Sequence, residues 1–326
     1  MKPSAKQVAH VANVSLSAVS RAFLPGAPLE DEKRKRILAA AAELGYVSPA
    51  RRTAEAIAAG TVSLVTGDLA NPFYPLVLDT LAKSLQAKGQ QLLVYALPEG
   101  ATVDSALEPV LAARPKAVIV TSAHLTSTMA LACRQHGIRI ILLNRIQHDV
   151  RVDAIACDNY AGGRDVAQLL IAAGRRKIGF IAGLATTSTH VERARGFRDR
   201  LNEDNRDLHA EADGAFNYAI AYAAAEALLA TRNPPDALFC CNDLMALAAI
   251  DAAKQRGMSV PDDLAIVGFD DIPMAAWNSY RLTTIRQPVQ RMVQETVGLI
   301  DEPHLPPIGE GAIRTLPGKL ILRASA

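Results

Sequence analysis

The chain contains few of the residues that mark secreted or metal-binding proteins. Only four of its 326 residues are cysteine, and none of them stands in C-x-x-C spacing. Cys157, Cys240 and Cys241 fall in apolar, strand-like stretches, so we expect small buried hydrophobic side chains in a reducing compartment rather than disulfides. The seven histidines show no metal-ligand spacing either. We therefore predict no metal site and no cofactor.

Membrane-spanning and export signals are also missing. No apolar run reaches the roughly 18 residues that a membrane helix needs, and Met1–Ala12 lacks the apolar centre of a signal peptide. The sequence further lacks a G-x-G-x-x-G motif after a strand, a P-loop and a G-x-S-x-G elbow. These absences predict a cytoplasmic protein without membrane partners, and they disfavour an enzyme.

Charge is small in total but unevenly distributed. The net charge is +2. Residues 1–60 contain nine lysines and arginines against five acidic residues, whereas the rest of the chain contains 26 against 28. A basic N-terminal segment on a slightly acidic remainder fits phosphate contact by that segment alone. Chance fluctuation in a short segment is the alternative.

Residues 2–23, KPSAKQVAHVANVSLSAVSRAF, predict two short helices joined by a tight turn. Ser4 and Ser15 stand at N-cap positions, and Asn13 tolerates the left-handed backbone that the turn requires. The side chains expected on the outer face of the second helix are Leu16, Ser17 and Arg21. This arrangement fits a helix-turn-helix motif whose second helix enters the DNA major groove, or an ordinary amphipathic helical pair.

A third helix and a linker follow. Residues 29–46 predict a helix that ends at a glycine C-cap, Gly45. Residues 47–60 read as a linker, with one short alanine-rich helix from about residue 51 to 59. The apolar face predicted for the third helix comprises Ile37, Leu38, Ala41 and Leu44.

From residue 61 onward, strand-like apolar runs alternate with helical patterns. The strands are predicted at 62–65, 92–95, 117–120, 138–143, 154–157, 178–182, 237–241 and 264–269. Such alternation indicates parallel sheets covered by helices on both faces, and the length of this region fits two sheets with a cleft better than one. Ligands bind in such folds at the carboxyl ends of strands. The polar residues found there are Asp68, Asn71, Ser122, Asn144, Arg145, Asp158, Asn242 and Asp270.

Residues 4–46 resemble the LacI/GalR family of bacterial repressors. That family opens with T-x-x-D-V-A-x-x-A-G-V-S-x-x-T-V-S-R and closes its headpiece with E-L-G/N-Y. The matching residues are Ser4, Val8, Ala9, Ala12, Val14, Ser15, Val19, Ser20, Arg21, Glu43, Leu44, Gly45 and Tyr46. Three departures, Gln7 for Asp, Asn13 for Gly and Ala18 for Thr, remove no base-reading side chain.

The remainder also resembles this family, in register to about residue 291. The motifs are D-x-x-N-P-F at 68–73, D-N at 158–159, R-x-x-G-F at 193–197, N-D-x-M-A at 242–246, V-G-F-D-D at 267–271 and L-T-T-I-x-Q at 282–287. The resemblance implies an all-α helix-turn-helix headpiece over 1–46, a hinge linker or helix over 47–60, and an effector-binding and dimerisation core over 61–326. That core is similar to type I periplasmic binding proteins: two doubly wound parallel-sheet subdomains, roughly 61–158 plus the C-terminal part, and 159–287.

The resemblance implies a ligand-responsive, sequence-specific transcriptional regulator, with a repressor expected, that binds a palindromic operator in double-stranded DNA as a homodimer. Its DNA contacts are expected at Ser4, Ser15, Leu16, Ser17, Ser20, Arg21 and Ile57. Its effector contacts are expected at Asp68, Asn71, Phe73, Ser122, Asn144, Arg145, Asp158, Arg193, Phe216, Asn242 and Asp270. The resemblance implies a small polar effector, and a sugar, a sugar acid or a sugar phosphate is expected.

The linker is where the resemblance weakens. Family members insert a leucine of the hinge into the minor groove, and Ile57 stands eleven residues after Tyr46 where the family spacing is nine. The chain also has no heptad repeat for tetramerisation. The alternative function is a solute-binding or sensor protein of the periplasmic type without a transcriptional role.

Overall fold

A computed structural model describes residues 3–24, 27–48, 60–98, 100–121, 124–307 and 309–326. The chain divides into two compact units, residues 1–60 and 61–326. Two predicted site residues, Ile57 and Ser122, lie outside the described residues. The predicted linker helix, from about residue 51 to 59, also lies outside them.

The N-terminal unit contains α1 (Ala5–Val11), α2 (Leu16–Ala22) and α3 (Asp31–Glu43). Ser4 begins α1 with a capping box, because its hydroxyl accepts from the backbone N–H of Gln7 and the Gln7 side chain accepts from the backbone N–H of Ser4. Gln7, which replaces the aspartate of the family motif, therefore helps to cap the N-terminus of α1. Ser15 caps α2 by accepting from Ala18 at 3.2 Å, and Asn13 has the expected left-handed backbone, with φ of +48°.

The three helices enclose a small core in which Val8, Val19 and Ile37 are completely buried or nearly so. One predicted core residue is wrong: the side chain of Leu38 is 41% exposed. Successive helical residues are about 100° apart around the axis, so Leu38 turns away from the face that Ile37 defines. Ala40 and Ala41 occupy the buried positions one turn later.

Two arginines of the basic run at 33–36 form hydrogen bonds within this unit. Arg34 donates to the carbonyl oxygens of Ala22 at 2.9 Å and Ala27 at 2.7 Å, and Arg36 donates to that of Ala12 at 3.0 Å. Carbonyl groups at helix ends have no partner within the helix. Part of the positive charge of residues 1–60 therefore stabilises the fold of this unit.

The second unit is an α/β core with two six-stranded sheets. Its strands are β1 Thr61–Thr66, β2 Gln91–Ala96, β3 Ala117–Thr121, β4 Arg139–Leu143, β5 Asp153–Cys157, β6 Ile178–Ala182, β7 Ala210–Asp213, β8 Ala237–Cys240, β9 Ala265–Asp270, β10 Thr283–Arg286, β11 Ile313–Leu316 and β12 Lys319–Ile321. Its helices are α4 Phe73–Gln86, α5 Leu107–Ala113, α6 Ser127–Gln135, α7 Asn159–Ala172, α8 Ser188–Glu203, α9 Tyr218–Leu229, α10 Asp243–Gln255 and α11 Val289–Asp301, with short 3-10 turns at Val103–Ala106 and Pro273–Ala276.

The strand orders are β11-β5-β4-β3-β1-β2 and β12-β10-β9-β8-β6-β7. Neighbouring strands are parallel except β12, which runs antiparallel to β10. The inner strands β1, β3, β4, β5, β6, β8 and β9 are buried along their whole length, as parallel sheets covered on both faces require. The predicted core of two parallel-sheet subdomains is confirmed in this form.

The C-terminal part of the chain is predicted to join the first subdomain, but the structure divides it between both sheets. α11 packs on α4 and β11 extends the first sheet beside β5. The chain then crosses back, and β12 extends the second sheet beside β10. Both sheets therefore take an outer strand from residues 313–321, and three chain segments connect the two subdomains.

Candidate nucleic-acid interface and effector cleft

α2 presents the expected side chains to solvent. Its buried face consists of Ala18, Val19 and Ala22, so the opposite face is exposed. Leu16 is 50% exposed, and Ser17 and Arg21 are exposed as well. The Arg21 Nε donates to the carbonyl oxygen of Ser17 at 3.3 Å, which lays the guanidinium along the outer face of the helix.

Three serines surround this face. Ser4 and Ser15 are the N-caps of α1 and α2, and Ser20 lies on the exposed side of α2. The hydroxyls of Ser15 and Ser17 are 2.9 Å apart. The Ser4 hydroxyl already donates its proton to Gln7 Oε1 at 3.1 Å, so a phosphate contact from Ser4 would replace that bond. A hydroxyl that accepts from a backbone N–H can still donate, so the capping role of Ser15 is compatible with its predicted phosphate contact.

The second site is a pocket in the cleft between the two sheets of the core, where the strands of both end. The first subdomain contributes Asp68, Asn71, Phe73, Tyr74, Asn144 and Arg145, and the second contributes Thr189, Arg193, Phe216, Asn242 and Asp270. The space that these residues enclose is about 20 Å³. Tyr74 and Thr189 are additions to the predicted set. Tyr74 follows Phe73 directly, and Thr189 lies one helical turn before Arg193 on α8, so helical spacing could have identified it.

Asp158 is predicted in this pocket but lies outside its walls. Its carboxylate begins α7, where it accepts from the backbone N–H of Ala161 at 2.9 Å. The residue lines a neighbouring cavity of about 530 Å³ instead. The helix N-terminus, with its unpaired N–H groups, accounts for a carboxylate at this strand end.

Arg193 is 2% exposed, and the protein itself surrounds its guanidinium with partners. Nε donates to Asn159 Oδ1 at 2.8 Å, Nη1 to the carbonyl oxygen of Cys241 at 2.7 Å, and Nη2 to Asp270 Oδ1 at 3.2 Å. The guanidinium also lies 3.7 Å from the centre of the Phe269 ring. A buried cation is tolerated only with such pairing, so the orientation of this arginine is fixed.

Two glycines bring Arg193 to this position. A Cβ at Gly163 would lie 2.2 Å from the carbonyl oxygen of Arg193, and a Cβ at Gly196 would lie 2.0 Å from that of Tyr160. Both distances are far below van der Waals contact, so α7 and α8 pack backbone against backbone at these points. This close approach places Asn159, at the start of α7, beside Arg193 on α8.

Two buried carboxyl groups flank the turn after β9. Burial raises the pKa of Asp270, and the Arg193 guanidinium and the Gln287 amide, which donates at 2.7 Å, oppose that increase. Burial and the neighbouring Asp270 raise the pKa of Asp243 to about 8. Asp270 lies on the pocket wall and pairs with Arg193, whereas Asp243 lies behind it in the core, where burial favours its neutral form.

Four buried polar atoms in or beside this pocket lack a hydrogen-bond partner in the described part of the protein. They are Asn144 Oδ1, Arg145 Nε, Asn242 Nδ2 and Gln287 Oε1. Asn242 shows how this arises, because its Oδ1 caps α10 by accepting from Met245 at 3.0 Å while its amide nitrogen faces the pocket side. Buried polar groups normally find partners. Two unpaired donors and two unpaired acceptors together fit a polyhydroxyl ligand.

The aromatic walls of the pocket differ in character. Phe73 is 1% exposed and packs edge-on against Tyr74 with ring centres 5.4 Å apart, so it is also part of the core. Phe216 is half-buried and has a left-handed backbone, with φ of +57°. A Cβ at Gly183 would lie 2.2 Å from the Phe216 ring, so the missing side chain at position 183 makes space for this aromatic wall.

Within residues that the structure describes, no group of three or more His, Cys, Asp or Glu side chains is arranged to hold a metal ion. The same part of the chain contains no helix that combines the length and the apolar character needed to cross a bilayer.

The fold and cleft define a periplasmic-binding-protein-like ligand-binding core, and residues 167–326 match the family model of the periplasmic binding protein-like domain. An uncharacterized HTH-type transcriptional regulator from the aml 5′ region of Streptomyces limosus is 32% identical over 313 residues, which cover 92% of this chain and 88% of the relative. The probable HTH-type transcriptional repressor ExuR of Bacillus subtilis is 28% identical over 308 residues, covering 92% of each chain. The structure of a transcriptional regulator CelR–cellobiose complex is 27% identical, with a TM-score of 0.72 over 99% of this chain and 100% of that one.

This chain therefore belongs to the LacI/GalR family of bacterial transcriptional regulators. The protein is a regulator of transcription and not an enzyme.

Proposed function

We propose that the protein is a ligand-responsive repressor that binds a palindromic operator as a homodimer and acts in the cytoplasm. The observation that carries the proposal is the buried Arg193–Asp270 pair, surrounded by unpartnered polar atoms, in the same chain as an exposed recognition helix. Small-molecule sites combine a few convergent polar groups with apolar walls. DNA reading by a helix-turn-helix uses exposed side chains near the start of its second helix.

The charges of the pocket favour an uncharged sugar among the predicted effectors. Two acids, Asp68 and Asp270, stand against two arginines, Arg145 and Arg193. The positive charge of Arg193 is already balanced by Asp270 at 3.2 Å. Phe73 and Phe216 supply apolar surfaces for the face of a sugar ring. A sugar acid or sugar phosphate would have Arg145, with its unpartnered Nε, as its counter-charge, but the two pocket acids already offset the charge of the two arginines in total.

Binding of such an effector requires the subdomains to separate. A space of about 20 Å³ holds about one water molecule, which is far less than a sugar ring. On one side of the cleft, the backbone N–H of Ile146 in the first subdomain donates to the Ser188 hydroxyl at the start of α8, at 2.9 Å. Opening about the three connecting segments is a hinge motion, and an effector that binds the opened form shifts the population of DNA-competent molecules.

Two features support the proposed homodimer: the small reading surface of one headpiece and the exposed apolar side chains on the core. A single headpiece reads one half-site, so useful affinity needs two. Tyr218, Ile220 and Trp277 of the second subdomain are 39%, 47% and 57% exposed. The hydroxyls of Tyr218 and Tyr280 both donate to Asp251, at 2.7 and 3.0 Å, so part of this surface is held rigid.

The experiment that tests the proposal is a thermal-shift screen of sugars, sugar acids and sugar phosphates against the full chain. A ligand at about 100 times its Kd stabilises the folded protein by about 2.7 kcal/mol. The compound that raises the melting temperature should also change the affinity for an operator selected from random DNA. Sedimentation of the protein–operator complex should give two chains per palindrome.

Removal of residues 1–60 separates this proposal from its alternative. A repressor loses operator binding and keeps the thermal response to its ligand, because the two functions lie in different compact units. A solute-binding or sensor protein without a transcriptional role would select no DNA sequence from a random pool, even as the full chain. Operator binding that survives the deletion would contradict the assignment of the headpiece.

A further inference from the structure

The strand β9 ends in a turn of two residues with positive φ. Asp270 has φ of +126° and Asp271 has φ of +58°. Neither residue is glycine, and residues with a Cβ avoid this region because of steric contact with the backbone. The direction in which the Asp270 carboxylate leaves the chain depends on these two angles. Such a turn persists only where surrounding contacts hold it.

The contacts that hold the turn converge on Asp271. Its side chain is only 6% exposed, and both carboxylate oxygens are paired. Oδ1 accepts from Arg323 Nη2 at 2.7 Å, and Oδ2 accepts from Arg286 Nε at 2.5 Å. The two arginines differ in burial, because the Arg323 side chain is 17% exposed and that of Arg286 is 53% exposed.

Arg323 is itself fixed to the start of β10. Its Nη1 donates to the carbonyl oxygen of Leu282 at 2.7 Å, and its backbone N–H donates to the Thr283 hydroxyl at 2.9 Å. Ser325 then joins both neighbouring strands, since its hydroxyl accepts from Thr283 at 2.8 Å and donates to Ile266 at 2.6 Å. The guanidinium therefore has a fixed position and cannot follow Asp271 if the turn relaxes.

We infer that Arg323 is a positioning residue for the effector cleft. By pairing with Asp271 it holds the Asp270–Asp271 turn in its left-handed conformation, and the turn keeps the Asp270 carboxylate facing Arg193. Arg286 contributes less, because its guanidinium is exposed and its attraction to Asp271 is screened by water. The inference rests on the proposed function in treating Asp270 as an effector contact.

Amide hydrogen exchange of the full chain, measured without any ligand, tests the positioning role of Arg323. The backbone N–H of Ile272, the residue after the turn, donates to Asp243 Oδ2 at 2.9 Å inside the core. In Arg323→Ala we expect its exchange to accelerate at least about tenfold, because local opening of the turn becomes easier. The matched control Arg286→Ala removes the other partner of Asp271, and its exchange should stay within about threefold of the wild type.

A second substitution distinguishes positioning from general support of the fold. In the double variant Arg323→Ala with Asp271→Gly, glycine adopts φ near +58° without steric cost and the stranded carboxylate is gone. We expect exchange at Ile272 to return to near the wild-type rate. Separate nitrogen resonances of the Arg193 guanidinium, which report its fixed pairing with Asp270, should be averaged in Arg323→Ala and resolved again in the double variant.

Unchanged exchange in Arg323→Ala, or a double variant that opens as readily as Arg323→Ala, would overturn the inference. So would equal effects of Arg323→Ala and Arg286→Ala. These outcomes are independent of the effector, because the measurements use the ligand-free protein. A failed sugar screen together with a rescued turn would instead count against the proposed function and leave the positioning role standing.

Discussion

The Thr284 hydroxyl donates to Asp243 Oδ1 at 2.5 Å, and both side chains are completely buried. Gly268 makes this contact possible, since a Cβ there would lie 2.2 Å from the same carboxyl oxygen. The other oxygen, Oδ2, accepts from the backbone N–H of Ile272. The start of α10 is thereby joined to β10 and to the turn that carries Asp270.

The first prediction concerns the pH dependence of stability at Asp243. Its pKa is about 8 in the folded protein and about 3.9 in an unfolded chain. Because the folded pKa is the higher one, its stabilising contribution is complete below about pH 4 and is lost as the pH rises through about 8. Relative to wild type, Asp243→Asn should therefore gain up to about 1.4 kcal/mol of unfolding free energy per pH unit between those limits.

Urea unfolding at a series of pH values measures this difference. The asparagine side chain introduced by Asp243→Asn is neutral at every pH, so the stability profile of the variant should be flatter than that of the wild type. The control is Asp149→Asn, because the Asp149 side chain is 64% exposed and its loss should leave the shape of the profile unchanged. Parallel curves for wild type and Asp243→Asn would show that Asp243 is ionised in the folded state.

The second prediction is that Arg193→Ala uncouples the protein from its effector. The substitution leaves the Asp270 carboxylate buried without its cation, and breaking such a pair costs about 3–5 kcal/mol. The melting temperature should fall, and the thermal shift given by the effector should disappear. Arg198→Ala is the matched control on the same helix, since its exposed pair with Glu211 lies outside the pocket. A variant that still responds to the ligand would remove Arg193 from the site.

A third pair of substitutions tests the Phe216 wall. Gly183→Ala forces the ring away from a Cβ that would lie 2.2 Å from it, and overpacking of this kind costs about 1–3 kcal/mol. Because the displaced Phe216 ring no longer forms the pocket wall, the thermal shift given by the effector should also become smaller. Gly298→Ala on α11 has no neighbouring atom within 4 Å of the new Cβ, so it should stabilise the protein by about 0.5–1 kcal/mol through helix propensity. Calorimetry should show a lower melting temperature for Gly183→Ala and a higher one for Gly298→Ala.

The fourth prediction concerns base reading by α2. Arg21→Ala should reduce the preference for the selected operator over random DNA by about 1–3 kcal/mol, because a bidentate contact to guanine is lost. Lys6→Ala removes an exposed cation of α1 and should weaken binding to both DNAs alike. Competition gel shifts at fixed salt measure, for each variant, the ratio of its affinity for the operator to its affinity for random DNA. Equal loss on both DNAs in Arg21→Ala would mean that this arginine contacts only phosphate.

The sequence predicts eight of the twelve described strands, including the edge strand β2, and misses β7, β10, β11 and β12. β3 (AVIVT) and β9 (AIVGFD) are nearly continuous apolar runs, because both faces of an inner parallel strand are covered. β7, with the sequence AEAD, alternates between half-buried and exposed positions, and four residues are too few for that alternation to be distinctive. The division of β11 and β12 between two sheets depends on pairing with strands over 30 residues away in sequence, which local patterns do not encode.

Where a motif fixes the position of a side chain, the structure brings the predicted residue to the cleft, while its role as an effector contact stays a prediction. Arg193, Asn242 and Asp270 belong to motifs and line the pocket. Asp158 belongs to one as well, but a strand-end carboxylate serves equally as a helix cap, and the sequence cannot separate those uses. The raised pKa of Asp243 could not be predicted from the sequence either. It arises from burial and from Asp270, which is distant along the chain.

The exchange of outer strands near the C-terminus has a consequence for biosynthesis. Neither sheet is complete until residues 313–321 have left the ribosome, because β11 and β12 each close one sheet edge. The two halves of the core cannot mature one after the other during translation, as independent domains do. Until then the edges of β5 and β10 remain open to unwanted strand pairing, so this core is expected to depend on chaperones more than its parallel α/β layers alone would suggest.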